Sequence, residues 1–315
     1  MRTKMRKRMA FVVLVLLVAS MIVQLIPEEY DLSLQRLRED TLYLCQEIGI
    51  RVTGTPEEKA AADWIEESLK QAGFGAGNSL HRISFDGAKD MKSENIIAVC
   101  NAGSHGPLFS VVAHYDSVST SPGARDNAAS VAALLEMARY LGPENGEFSC
   151  EIRLVFLGSE ENGYHGSAAY VNSLTQEEKQ RHAGAFNMDI SAASHSDQAV
   201  LVCNALGARI DGEYQEGNFI VPAEGAVTGA VRKAYRQLYG RELGGVFHFG
   251  ESDHVSFHNA GLEAANVCWR KVEDQQPVLP ESYHQPSDLP QELDYETVRA
   301  SARCILKAME LLLDA

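Results

Sequence analysis

The chain of 315 residues has no CxxC pair, no low-complexity tract and no internal repeat. Its six cysteines stand far apart, at positions 45, 100, 150, 203, 268 and 304. Cys100, Cys203 and Cys268 lie in apolar, strand-like runs, so buried free thiols are favoured over a disulfide framework. The lack of repeats excludes a repeat array, and it favours a single globular body.

Basic residues are scarce once the first eight positions are set aside. Those positions hold five of the 28 Lys and Arg residues, which leaves 23 against 43 Asp and Glu and a formal net charge of −20. A domain this acidic should repel nucleic acid. We therefore expect no nucleic-acid partner.

The first 27 residues differ from the rest of the chain. The basic stretch "MRTKMRKR" is followed by the apolar run "MAFVVLVLLVASMIVQLI". About 17 helical residues span about 26 Å, close to the ~30 Å of a hydrocarbon core. Because "VAS" is a poor cleavage site within a run that continues beyond it, an uncleaved signal anchor is favoured over a signal peptide.

The basic flank predicts the orientation of this segment. It should stay in the cytoplasm, which sends everything after Pro27 across the membrane. The chain is thus divided into a membrane anchor at 1–27 and a globular domain at 28–315 on the extracytoplasmic side. If the anchor is cleaved, the domain is secreted.

Beyond the anchor, strand-like and helical segments alternate. The runs typical of strands are "ENIIAVC", "LFSVVA", "EIRLVFL", "GAFNM", "AVLVC" and "AANVCW", and segments with helical apolar spacing lie between most of them. This order predicts the α/β class. We expect a single-domain three-layer sandwich, with a mostly parallel central sheet and helices on both faces.

Polar side chains follow three of these strands directly. His114 comes after "LFSVVA", Glu160 and Glu161 come after "EIRLVFL", and Asp189 comes after "GAFNM". In open α/β sheets, ligands bind at the carboxyl ends of strands. If the segment with the adjacent glutamates is extended, their side chains point to opposite sides and can have different roles.

The candidate site combines histidines and carboxylates. Its members are His114, Asp116, Asp126, Glu160, Glu161, Asp189 and His284. Histidine and carboxylate ligands without thiolate suit zinc, or manganese and cobalt by availability. Each member has a simpler role when taken alone; Asp126, for example, could be a helix N-cap. Their joint placement at strand ends carries the prediction of a metal site.

Five ordered motifs give the chain a family resemblance. The segments "HYDS", "GARDNAAS", "GSEENGYHGS", "NMDI" and "YHQPSD", with "SDH" before the last, resemble the M28 family of zinc-dependent aminopeptidases. The similarity begins near Arg51, at "RVTGTPEEKAAADWIEESLKQAGF", and runs to the C-terminus. Each motif is short, but their order is specific.

The resemblance implies a ligand set for two zinc ions. His114 and Asp189 would bind one ion, while Glu161 and His284 would bind the other. Asp126 would bridge the two ions, and the peptide after it would be cis.

The resemblance also implies three catalytic or supporting roles. Glu160 would be the general base, which takes the proton of the attacking water. Tyr283 would stabilise the developing oxyanion. Asp116 would accept a hydrogen bond from His114 and so orient that ligand.

The implied activity is removal of N-terminal residues from peptides that have a free N-terminus. One alternative is an enzyme like glutaminyl cyclase, which shares the fold but uses one zinc ion. Another is a non-catalytic, protease-like ectodomain that binds proteins. Such a domain would be expected to have lost metal ligands, and the sequence retains all five.

Overall fold

The computed structural model describes residues 29–88, 91–144, 148–204, 209–210, 213–214, 219–220, 225–248 and 252–315. The chain separates into two units, Met1–Asp31 and Leu32–Ala315, and the second contains the sheet and helices described here. The predicted anchor at 1–27 lies outside the described residues. Among the helices that the structure does describe, none is long and apolar enough to cross a membrane.

Strands and helices alternate along the second unit. The strands are β1 Leu80–Asp86, β2 Lys92–Cys100, β3 Leu108–His114, β4 Glu151–Leu157, β5 His182–Met188, β6 Ala193–Ser194, β7 Val200–Asn204, β8 Arg209–Ile210, β9 Glu213–Tyr214, β10 Phe219–Ile220, β11 Gly245–His248, β12 Ala264–Glu273, β13 Gln276–Val278 and β14 Leu293–Asp294. The helices are α1 Leu34–Leu42, α2 Pro56–Gln71, α3 Ala129–Leu141, α4 His165–Ser173, α5 Gln176–Gln180, α6 Ala226–Tyr239, α7 His254–Asn259 and α8 Tyr295–Leu313.

The main sheet has the strand order β1-β2-β4-β3-β5-β12-β7-β11-β10. Its four central strands, β4, β3, β5 and β12, are mutually parallel. Antiparallel pairs flank this centre, between β2 and β4 on one side and between β12 and β7 on the other. The predicted α/β fold with a mostly parallel central sheet is confirmed, and its outer strands are mixed in direction.

Helices cover both faces of the sheet. On one face α4 and α7 contact each other, and Tyr170 and Phe257 from these helices pack against Val112 and Val155 of the central strands. The remaining long helices, among them α3, α6 and α8, contact one another and the sheet. Every residue of β3 is buried, as expected for a parallel strand covered on both faces.

Local signals in the sequence agree with the observed element ends. Helix α2 starts at Pro56, and the Thr55 side chain accepts a hydrogen bond from the Glu58 backbone N–H. The helix ends just before Gly73, whose φ of +97° is costly for other residues. All six cysteines are free and buried, which confirms the prediction from their surroundings.

The topology brings the predicted strand ends together. Strand β3 lies between β4 and β5, and its last residue, His114, pairs with Leu157 at the end of β4. The two glutamates follow β4, and Asp189 follows β5. His114 therefore lies at the middle of the edge at which these three parallel strands end.

One fully buried arginine organises the chain beside this edge. The Arg51 side chain donates hydrogen bonds of 2.7–3.3 Å to main-chain carbonyls. The accepting residues are Leu44, Gly49, Tyr115, Pro122 and Gly123. Arg51 thus joins the turn after α1 to the segment between His114 and Asp126.

Replacing Arg51 by methionine tests this role. The variant keeps most of the side-chain length but removes these bonds, although the carbonyls of Leu44 and Gly123 keep a second donor, the N–H of Gly49 and of Ala128. A buried carbonyl left without any donor costs about 1–3 kcal/mol. We expect the free energy of unfolding to fall by roughly 2–4 kcal/mol. Urea unfolding followed by circular dichroism measures it. Arg236→Met, which removes an exposed pair with Glu242, should leave the midpoint unchanged. An unchanged midpoint for Arg51→Met would contradict this account.

Candidate metal centre

A first group of ligand atoms surrounds the ring of His114. Its Nε2 atom lies 3.2 Å from Asp126 Oδ1 and 3.7 Å from Asp189 Oδ1. His114 is fully buried, and the two carboxylates are nearly so. Such a group of three could hold one metal ion.

A second group lies on the other side of Asp126. His284 Nε2 lies 3.4 Å from Asp126 Oδ2 and 3.2 Å from Glu161 Oε2. These three residues also form a group that could hold a metal ion. Asp126 therefore belongs to both groups, and each of its oxygens faces a different histidine.

The backbone at Asp126 and Asn127 has non-helical dihedral angles. The peptide bond between Asp126 and Asn127 is cis, as the resemblance implied. Helix α3 follows directly, and the Asp126 side chain is directed at the histidines rather than capping that helix. The Asn127 side chain donates to the Met188 carbonyl, which links this turn to the end of β5.

Glu160 and Glu161 differ in their surroundings, as their adjacency suggested. Glu160 is buried, and its Oε2 lies 4.0 Å from His114 Nε2. Glu161 is more exposed and contacts His284. Burial, together with the nearby carboxylates, raises the pKa of Glu160 well above its ordinary value, although the charge of His114 opposes this.

The Asp116 carboxylate holds the backbone of both glutamates. Its Oδ1 accepts a hydrogen bond from the Glu160 N–H at 3.0 Å, and its Oδ2 accepts one from the Glu161 N–H at 3.2 Å. The Thr53 hydroxyl also donates to Oδ2, at 3.0 Å. His114 Nδ1 lies 3.2 Å from the Asp116 main-chain oxygen, and 3.5 Å from its carboxylate. Since a carbonyl oxygen can only accept, Nδ1 is the donor and Nε2 is available to a metal.

Tyr283 stacks on His284, with ring centroids 3.8 Å apart. Burial and the charges of Asp126 and the other acids raise the pKa of its hydroxyl above the ordinary value. The hydroxyl therefore stays protonated and can donate a hydrogen bond near neutral pH.

The charges of the centre are strongly coupled. Although burial opposes its ionisation, the nearby rings of His114 and His284 hold the pKa of Asp126 below its ordinary value. Burial raises the pKa of Glu161 to about 8. Acids in such surroundings are stabilised as anions when a cation lies among them.

The donor set fits zinc. Several buried ligand atoms have no hydrogen-bond partner among the residues that the structure describes, namely His114 Nε2, Glu161 Oε1, Asp189 Oδ1 and His284 Nε2. Unpaired buried polar atoms are costly unless they bind something. Imidazole nitrogens and carboxylate oxygens are ordinary zinc ligands. The residues present thus match the ion that the sequence suggested.

The structure adds supporting residues that the sequence did not single out. The Asp288 carboxylate accepts from the backbone of the turn at Asp126, and Asn266 Oδ1 accepts from the Asp189 N–H at 3.1 Å. Asp288 closes the motif "YHQPSD", so a signal for it existed. Asn266 lies inside an apolar strand and carries no such signal.

Residues of the "SDH" segment lie deeper than loop residues usually do. Asp253 is fully buried, and its charge influences Glu160. Phe247, close to this segment in the sequence, packs in a core cluster with Val202 and Cys268.

A cavity of about 790 Å³ lies apart from the centre and includes none of its ligands in its lining. It is bounded in part by β1, β2 and α4. Arg153 and Arg181 in its wall are paired with Glu151, at 2.7 and 2.9 Å. We therefore place the chemistry at the strand-end centre and not in this cavity.

Solved structures with a similar fold include metal-dependent peptidases. The zinc aminopeptidase BSAP from Bacillus subtilis matches with a TM-score of 0.72 at 20% identity, covering 90% of this chain and 95% of that one. Porphyromonas gingivalis glutaminyl cyclase matches with a TM-score of 0.70 at 20% identity, covering 89% and 98%. At this identity the likeness shows the fold alone.

A sequence relative and a family model give the closer relationship. Aminopeptidase YwaD from Bacillus subtilis is 31% identical over 264 residues, which cover 83% of this chain and 51% of that protein. The chain thus spans about half the length of this curated relative. The model of peptidase family M28 matches residues 95–309, more than half of the chain. The resemblance read from the strand-end motifs is confirmed, and the chain belongs to peptidase family M28.

Proposed function

We propose that the chain is a dinuclear zinc-dependent aminopeptidase, which hydrolyses N-terminal residues from peptides. The observation that carries this proposal is the arrangement at Asp126. Its two oxygens face His114 and His284, at 3.2 and 3.4 Å, and each histidine has a further carboxylate beside it. A carboxylate that serves two ligand groups at once is the arrangement expected of a bridge between two ions.

The ligands divide between the two ions as the groups suggest. His114 and Asp189 would hold one ion, Glu161 and His284 the other, and Asp126 both. When bound, two zinc ions would supply Lewis-acid activation of water and of the substrate carbonyl. The remaining steps belong to side chains of this chain.

Glu160 would act as the general base. It is buried beside the ligands and could form a further ligand group with His114 and Glu161, but it lies outside the two groups that share Asp126. It would accept a proton from the attacking water and deliver it to the leaving amine. The Asp116 carboxylate would fix its position through the backbone N–H. This bond adds to the role expected for Asp116 as an acceptor from His114, whose Nδ1 lies 3.5 Å from its carboxylate.

Tyr283 would donate its hydroxyl proton in a hydrogen bond to the oxyanion that develops on the substrate carbonyl. Its stacking on His284 keeps the hydroxyl next to the centre. The raised pKa keeps the proton in place near neutral pH.

The alternatives make different demands on the site. A cyclase with one zinc ion would leave one ligand group unused, yet both groups have buried atoms without a partner among the described residues. A non-catalytic ectodomain would not need the ligand set gathered at the strand ends. The zinc stoichiometry of the purified protein separates two ions from one.

For the N-terminal part, we propose a membrane anchor at 1–27 and a peptidase domain at 28–315. The basic flank before the apolar run supports an extracytoplasmic domain, whether anchored or, after cleavage, secreted.

The first prediction distinguishes the two adjacent glutamates. Glu160→Gln preserves shape but cannot accept the proton, so we expect kcat to fall by about 10²–10⁴ while zinc content stays at the wild-type value. Glu161→Gln should lower occupancy of one zinc ion, and excess zinc should restore part of the activity. Asp126→Asn should weaken binding of both ions. Zinc content and steady-state kinetics of the three variants measure this.

The opposite outcome for the pair would reverse the assignment. If Glu160→Gln loses zinc while Glu161→Gln keeps zinc and activity, Glu160 is the ligand. If neither substitution changes hydrolysis, the site lies elsewhere.

The second prediction concerns the substrate. An exopeptidase of this kind requires a free N-terminus, so acetylation of a short peptide should abolish cleavage. A chelator should abolish cleavage of the free peptide, and added zinc should restore it. Mass spectrometry of the products checks both. Efficient internal cleavage of the acetylated peptide would rule out aminopeptidase action without excluding the metal centre.

The third prediction concerns topology. A reporter fused after Ala315 should be accessible to protease on the outer side of the cytoplasmic membrane. A shortened protein that starts near Glu28 should be soluble and active. Fractionation of cells with the full-length chain is the measurement, and a wholly cytosolic full-length protein would refute the anchor.

A further inference from the structure

Two segments that are far apart in sequence meet at the second ligand group. The first, which we name the bridge turn, comprises residues 120–126 and ends with Asp126. The second, which we name the Tyr-His loop, comprises residues 280–288 and carries Tyr283 and His284. The ring of His284 faces Asp126 across the contact between them, at 3.4 Å.

Asp288, at the end of the Tyr-His loop, clamps the bridge turn. Its Oδ1 accepts a hydrogen bond from the Arg125 N–H at 2.8 Å, and its Oδ2 accepts one from the Asp126 N–H at 3.2 Å. Asp288 is buried, with 2% of its surface exposed. Hydrogen bonds between a carboxylate and backbone amides are stronger than neutral ones, especially away from water. Both oxygens are thus fixed on successive residues of the bridge turn.

A second bond joins the start of the bridge turn to the middle of the Tyr-His loop. The Thr120 hydroxyl donates to the His284 carbonyl at 2.9 Å. Within the Tyr-His loop, the backbone N–H groups of Tyr283, Gln285 and Asp288 donate to carbonyls three residues earlier. This chain of turns connects the position of Asp288 to that of His284.

The two ligand groups differ in what supports them. His114 ends strand β3 and Asp189 follows strand β5, so the sheet holds their spacing. His284 lies on a loop, and its side chain is 33% exposed. No strand pairing fixes the distance between His284 and Asp126. This distance therefore depends on the hydrogen bonds that Asp288 accepts from the bridge turn.

We infer that Asp288 is a positioning residue that sets the spacing of Asp126 and His284, and so governs affinity for the zinc ion of the His284 group more than for that of the His114 group. This inference rests on the proposed dinuclear function. It assigns no contact of Asp288 with zinc or with substrate.

The test is zinc binding by the metal-free Asp288→Asn protein. An amide can accept from one N–H, but its NH2 group then faces the second N–H, so one clamp bond is lost. Mutation of a residue that supports a metal ligand typically weakens metal binding by about 10–100-fold. We expect the weaker zinc dissociation constant to rise by about that factor, while the tighter one changes less than about threefold. Titration against a competing chromophoric chelator gives both constants.

The matched control is Asp294→Asn. Asp294 also accepts a backbone N–H, that of Glu296, but at the start of α8. Asparagine is as good an N-cap as aspartate, so both zinc constants should stay at the wild-type values. Thermal unfolding of the metal-free proteins accompanies the titration, because a merely structural role would lower the midpoint without separating the two constants.

The outcomes separate this inference from the function it rests on. If the wild type binds fewer than two zinc ions, the dinuclear proposal fails and the inference fails with it. If the wild type binds two and Asp288→Asn keeps both constants, only the inference is overturned. If Asp288→Asn does not fold, Asp288→Glu decides, since it keeps the charge but displaces the carboxylate from the two backbone amides by one methylene group. A rise of about threefold or more in the weaker zinc dissociation constant of that variant supports the positioning role of Asp288, and two unchanged constants overturn it.

Discussion

Carboxylates buried within a few ångström of one another repel, and they stay ionised together only where positive charge lies among them. This constraint governs the strand-end edge of the sheet. Asp126 lies between two histidines, with Glu161 beside one and Asp189 beside the other. Without metal the burial raises the pKa of Glu161 to about 8. Bound cations would remove the conflict, and the surrounding protein keeps the acids close enough to bind them.

The support for these acids comes mainly through their main chain. The Asp116 carboxylate accepts hydrogen bonds from the backbone amides of Glu160 and Glu161. In the same way, Asp288 accepts from the amide of Asp126, and Asn266 accepts from the amide of Asp189. Each bond fixes the backbone from which one of the acids projects, and uses none of that acid's own carboxylate oxygens. Arg51 acts in the opposite sense, as a donor to carbonyls of the segment between His114 and Asp126. Residues from distant parts of the chain thus define one rigid edge.

Much of this could be predicted because the relevant signals are local. Apolar runs identified the central strands, and the polar residue that ends each run identified an edge of the sheet. The direction of the outer strands β2 and β7 was not available in this way, since an apolar run does not indicate whether a strand pairs parallel or antiparallel with its neighbour. The roles of Asn266 and Arg51 could not be predicted either, because one polar residue inside a strand or loop has no periodic pattern that indicates its partner.

By itself the sequence determined the α/β class, the family and the residue types gathered at the strand ends. These follow from side-chain periodicity and from short ordered motifs, which act over a few residues. Only the tertiary structure decided which oxygen of Asp126 faces which histidine, and that the Asp116 carboxylate binds the amides of the glutamates. It also brought Asp288 against the bridge turn across 162 positions of sequence. The reason is geometric, because hydrogen bonds depend on distances of about 3 Å that only the packed sheet and its loops establish.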